Sequence, residues 1–145
     1  MSIEPKAFLE LAHQLSRDTT NEASLRTCVS RSYYALFNFM AQFICHNVEP
    51  LSQTAKDHEN VYRYFNNCGV DDVVTIASNL NDLRDERNDS DYKLQLDRFK
   101  DQSTVTLLFK KASIAFNSFE SIIQSSKRRK HIIKGIRSYK QATGS

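Results

Sequence analysis

Three glycines and two prolines are all that punctuate these 145 residues. An all-β sandwich or barrel needs a turn about every ten residues, and turns draw on glycine, proline and their polar companions. A chain this poor in breakers has to run in long helices, and its apolar residues recur at helical steps. Phe8, Leu11, Ala12 and Leu15 form a first short stripe behind Pro5, which a first helical turn tolerates. Thr19 to Glu22 reads as a capping box that opens the longest segment, in which Leu25, Cys28, Val29, Tyr33, Leu36, Met40, Phe43 and Ile44 follow steps of three and four up to about Asn47. Pro50 stops it. A third helix is predicted over Asp57 to Phe65, closed by Asn66-Asn67-Cys68-Gly69. Val73, Ile76, Ala77, Leu80 and Leu83 mark a fourth that runs into a polar block. After a charged connection at Asp97 to Gln102, the stripe from Val105 to Ile123 marks a fifth.

The expected fold is therefore all-α, an antiparallel up-and-down bundle of four to five helices over residues 1–126. Residues 127–145 are a basic C-terminal extension, either a helix continuation or a flexible tail. The chain has the usual size of one domain. Its net charge of +3 hides a division, because residues 127–145 hold seven Lys or Arg and no acid. Removing those seven from 20 basic residues leaves 13 against 17 acidic ones in the body. The extension, if helical, sets Ile132, Ile133, Ile136 and Tyr139 among Lys127, Arg128, Arg129, Lys130, Lys134 and Arg137. Such a segment suits nucleic-acid phosphates, an anionic membrane, or a partner that covers the isoleucines; Gly135 weakens the helical reading.

No run of eighteen apolar residues exists to span a bilayer, and Glu4 and Lys6 interrupt any signal-like N-terminus. The expected location is cytoplasmic, and Cys28, Cys45 and Cys68, odd in number and without C-x-x-C spacing, read as reduced thiols. The scattered His13, His46, His58 and His131 do not form a metal-ligand pattern. Phosphate loops, dinucleotide fingerprints and nucleophile elbows are absent, so no cofactor is expected.

Two clusters stand out. On a helix at about 100° per residue, Arg87 falls about 20° to one side of Leu80 and Asp91 about 20° to the other, so polar groups continue a buried stripe. A buried charge must pair or face a cleft. Arg87 with Asp91 and Arg84 with Asn88 are then either a helix-end ion-pair network or a functional site. The second cluster, Arg31 to Phe39, combines an arginine with Tyr33, Tyr34, Phe37 and Phe39. It reads either as core or as a surface that stacks bases.

Taken together, Ser30-Arg31-Ser32-Tyr33-Tyr34-Ala35-Leu36-Phe37 on an early helix and Leu83-Arg84-Asp85-Glu86-Arg87-Asn88-Asp89-Ser90-Asp91-Tyr92 on a later one resemble the HEPN superfamily, in particular its small stand-alone prokaryotic members. The likeness covers roughly Phe8 to Ile123. It implies a helical bundle that forms a homodimer, and a place among the metal-independent ribonucleases of toxin-antitoxin and phage-defence systems, whose R-x4-6-H motifs meet at the dimer cleft. Carried over, Arg87 matches the motif arginine and Asn88 the polar residue after it. The histidine does not match: its positions fall on Tyr92, Lys93 or Leu94. That departure bears on mechanism, since histidine titrates near neutrality and tyrosine only at about 10. The resemblance thus implies Arg87, Asn88 and Tyr92 as the catalytic set, with Arg31, Tyr34, Arg84 and Asp91 as the surrounding network. The other reading is a non-catalytic module that binds a partner protein such as a nucleotidyltransferase-type antitoxin.

Overall fold

The computed structural model describes residues 3–18 and 21–145. Every regular element among them is helical, in six α-helices and one 3-10 turn. Pro5 opens α1 (Pro5–Leu15) at its first turn, and Leu9 and Ala12 face inward. The inward face is centred on those two, which leaves Leu11, expected on the stripe, 41% exposed. Asn21 caps α2 (Glu22–Asn47), its side chain accepting the Ser24 amide at 3.2 Å. Thr19 of the expected capping box lies outside the described residues. The chain then turns through 48–55, where Asp57 accepts the backbone amides of Ser52 and Gln53 at 3.0 and 2.9 Å. Those bonds hold Gln53 at φ +60°, a left-handed conformation, and fix where α3 (Lys56–Asn66) begins.

Gly69, at φ +77°, reverses the chain into α4 (Asp71–Tyr92), which runs unbroken from its apolar half through the polar block. The charged connection contains a 3-10 turn at Asp97–Lys100 whose Phe99 is fully buried. Asp101 caps α5 (Gln102–Ile123), accepting from the Ser103 amide. Ser125 caps a further helix, α6 (Ser126–Thr143). The helix count is thus six rather than four to five, because the basic extension is a helix of its own.

Residue pairings set the directions. Ala12 meets Cys28 and Phe8 meets Arg31, so α1 is antiparallel to α2. Arg26 reaches Ser90 and Tyr33 meets Arg87, so α4 is antiparallel to α2 as well. Tyr33 meets His58 and Phe43 meets Phe65, so α3 runs parallel to α2 and interrupts the alternation. The main core lies between α2, α4 and α5, with Leu36, Met40, Leu80, Leu83, Phe116 and Phe119 buried in it. Phe119 stands edge-on to Phe39, Phe43 and Phe65 at 5.2–5.7 Å, the favoured geometry for aromatic quadrupoles.

α6 completes that core. Ile132 and Ile136 have no exposure and belong to the same apolar cluster. Gly135 permits the approach: a Cβ there would sit 1.7 Å from the carbonyl oxygen of Cys68. The residue that weakened the helix on propensity is the one that lets this helix dock. Among the described residues, no helix is long and apolar enough to cross a membrane.

Candidate functional site

The inward stripe of α4 does continue past Leu83 into charge. Arg87 is buried, 8% exposed, one helical turn beyond Leu83. Its guanidinium carbon lies 5.3 Å from the ring centroid of Tyr33 and 5.2 Å from that of Tyr34. The ring faces carry negative potential and partly replace the water that burial removes. Pairing with carboxylate is weak, since the Arg87 Nη1 to Asp91 Oδ2 distance is 3.9 Å. Its Nε is buried with no hydrogen-bond partner, and the same holds for the Nε of Arg84, whose Nη1 reaches Glu59 Oε2 at 3.4 Å. Arg31 also places its guanidinium 5.7 Å from the Tyr34 ring, so two cations approach one tyrosine.

The start of α3 adds a group with no role in the expected set. His58 stacks on Phe37 with centroids 4.3 Å apart, and its Nδ1 hydrogen-bonds the Tyr33 hydroxyl. Burial, then Arg87 and Arg84, hold the His58 imidazole below its ordinary value, with Asp57 acting in the opposite direction. Burial likewise pushes the Tyr33 hydroxyl well above the usual phenol range, so it stays protonated. The direction of that bond follows the imidazole tautomer: Tyr33 donates when the N–H of neutral His58 is on Nε2, and accepts when it is on Nδ1. The cluster is therefore rich in donors: two guanidinium groups with unused N–H bonds and a third at the rim.

The remaining expected residues divide. Arg87, Arg84, Asp91, Tyr34 and Arg31 come together across α2 and α4. Asn88 and Tyr92 do not join them, for they sit about 100° and 140° round the helix from Arg87. They line a shallow recess with Asp85, Asp89 and Lys93, and Tyr92 is 74% exposed. On α6, Arg128 pairs with Asp72 and Lys140 with Glu49, while Arg129 and Arg137 donate to the carbonyls of Ile123 and Asn47. Lys127, Lys130 and Lys134 are exposed. Among the described residues, no group of His, Cys, Asp and Glu is placed to hold a metal ion.

Sequence reading passed over two residues. His58 carried a usable signal, since it precedes the buried Val61 and Phe65 by three and seven positions and so shares their inward face. Arg26 carried none. Its guanidinium donates to the carbonyls of Ser90, Lys93, Leu94 and Leu96, pairs with Glu22 at 3.0 Å and lies over Phe99. It satisfies carbonyls at the end of α4 and pins the segment that follows, which keeps Arg87 and Asp91 in place. Comparison with protein-family profiles, curated proteins and solved structures finds no match for the chain.

Proposed function

We propose that the chain is a HEPN-type protein that acts on RNA, and that the side-chain cluster around Arg87 takes a backbone phosphate. The observation that carries this reading is the state of Arg87: a cation nine-tenths buried, with an orphaned Nε and its carboxylate only at 3.9 Å. A buried charge left so poorly neutralised is costly to the fold, and an incoming anion would repay that cost. Arginine suits the task because its planar fork matches phosphate oxygens. Arg84 supplies further donors, and His58 adds an Nε2–H in the tautomer that accepts from Tyr33. Tyr34, with two guanidinium groups at 5.7 and 5.2 Å, offers a half-buried ring beside them.

Cleavage, within this reading, is metal-independent attack by the neighbouring 2'-hydroxyl on phosphorus. The 2'-O–P bond forms as the P–O5' bond breaks, leaving a 2',3'-cyclic phosphate and a free 5'-hydroxyl, with water taking the 2'-hydroxyl proton and returning one to the 5'-oxygen. Arg87 and Arg84 would stabilise the charge that builds on the phosphate oxygens. His58, from a different helix, takes the place of the histidine missing after Arg87. In the tautomer in which Tyr33 donates to Nδ1, the Nε2–H of His58 would donate to a phosphate oxygen and stabilise charge; in the other, Nε2 would accept a proton. Asn88 and Tyr92, on the adjacent face of α4, would meet the strand beyond the held phosphate. The homodimer and the toxin-antitoxin or defence setting that the resemblance implies belong to the same proposal.

A second reading is a non-catalytic module for a partner protein, favoured by one feature. Tyr92 and Leu94 are 74% and 71% exposed on a segment that Arg26 holds rigid, which suits an apolar contact. The test is incubation of the purified protein with total tRNA and a long single-stranded RNA in chelator, with Arg87→Ala and Arg87→Met alongside. RNA retention falling at least tenfold in both variants supports the phosphate-binding cluster, and cleavage lost with it supports the ribonuclease. Arg87→Met should keep or raise the melting temperature, because an apolar side chain of similar reach removes an under-neutralised buried charge. RNA retention unchanged in both variants sinks the reading and leaves the partner-binding module.

A further inference from the structure

The seven basic residues of α6 are not equivalent. Asp72 neutralises Arg128 at 2.6 Å and Glu49 neutralises Lys140 at 2.6 Å. Arg137 donates to the Asn47 carbonyl at 3.3 Å, a bond that fixes its position without cancelling its charge. Lys127, Lys130 and Lys134 stand exposed and, among the described residues, meet no carboxylate within ion-pair distance. At about 100° and 1.5 Å per residue, Lys127, Lys130, Lys134 and Arg137 fall within about 80° of one another along about 15 Å of helix.

Helix stability does not account for this row. Lys127, Arg128 and Arg129 occupy the first turn of α6, where the positive end of the macrodipole disfavours cations. With no internal carboxylate to meet it, the row is open to an external anionic partner. An anionic bilayer would need the apolar face of α6 to enter the interface. Most of that face is spent, since Ile132 and Ile136 are fully buried against the body and only the half-buried Ile133 opens onto the groove. A phosphate backbone needs only the charges. Asn47, Ser138 and Gln141 border the same groove as Lys130, Lys134 and Arg137, and supply neutral groups for sugar and phosphate oxygens.

We propose that this face of α6 binds the phosphate backbone of a single-stranded nucleic acid without regard to base sequence. One narrow row of cations matches one row of phosphates, whereas a duplex presents two. The contact is separate from the Arg87 cluster. Asp72, which anchors Arg128, lies fifteen residues before Arg87 on α4, or about 22 Å along the helix. The proposal stands whether or not Arg87 holds phosphate.

The experiment is fluorescence anisotropy of labelled oligouridylate and oligothymidylate across a salt series, with the full chain and with K127Q/K130Q/K134Q. Three lost phosphate contacts at about 0.7 counterions each make the slope of log K against log salt shallower by about 2. Adding Arg137→Gln should flatten it further, and the melting temperature serves as the folding control. Arg87→Ala, measured beside them, should leave the effect of the triple substitution intact. An unchanged slope in the triple variant overturns the proposal even if Arg87→Ala loses affinity. So does loss of binding to phosphatidylserine vesicles with nucleic-acid binding intact, which would assign the face to membranes.

Discussion

His58 shows how a single side chain inherits its chemistry from three helices. Its ring lies on Phe37 and its Nδ1 on Tyr33, both from α2. Arg84 and Arg87 of α4 and Asp57 beside it on α3 set its charge preference, with burial the leading cause of the lowered value. Because the folded-state value is depressed, the unfolded chain binds a proton more readily. The stability this group contributes is complete above the ordinary histidine value of about 6.5 and is lost as pH falls through the folded value. Urea denaturation between neutrality and mild acid should show this loss, and His58→Gln should remove part of it. Added inorganic phosphate should reduce the loss in the parent chain, since a bound anion favours the imidazolium. Identical pH profiles for parent and variant would show that His58 does not sense the two arginines.

At the level of elements, the glycine in α6 decides whether a helix docks. In an exposed helix, exchanging glycine for alanine gains about 1 kcal/mol. Gly135→Ala should instead cost about 3 kcal/mol, because its methyl group would overlap the backbone carbonyl of Cys68, which has no flexible end to yield. A gain in the urea midpoint would refute that packing. This position marks where sequence reading stops. The helices α1 to α5 were legible because periodicity, Pro5, Pro50 and the Asn66–Gly69 cluster are written locally. The docking of α6 was not, because glycine's advantage exists only against a carbonyl some 67 residues away in sequence. The candidate site divides along the same line. Arg87 was legible from the phase of one helix; Asp91, expected on the same buried stripe, is exposed because the stripe drifts onto Ser90 at the end of α4. His58 needed the register of α3 against α2, which the turn held by Asp57 sets. Tyr92 looked equivalent to Arg87 in a linear motif and lies on another face in space.

Across the whole molecule, an acidic body carries a basic helix, and two ion pairs, Arg128 with Asp72 and Lys140 with Glu49, fasten the two together near either end of α6. Between them lie Ile132, Ile136 and the contact of Gly135 with Cys68. This arrangement gives the three thiols distinct environments. Cys45 is exposed, whereas Cys28 lies buried between α1 and α2, its thiol pushed up to about 11 by burial. Cys68 is buried where α6 crosses it, and its thiol is raised by burial too. A thiol reagent therefore becomes a clock for opening. Cys45 should react at once, Cys68 at the frequency with which α6 lifts away, and Cys28 when the α1–α2 seam parts. Nucleic acid on the outer face of α6 does not touch Cys68, so any slowing of its labelling would measure how far a ligand on one side of a helix steadies the packing on the other.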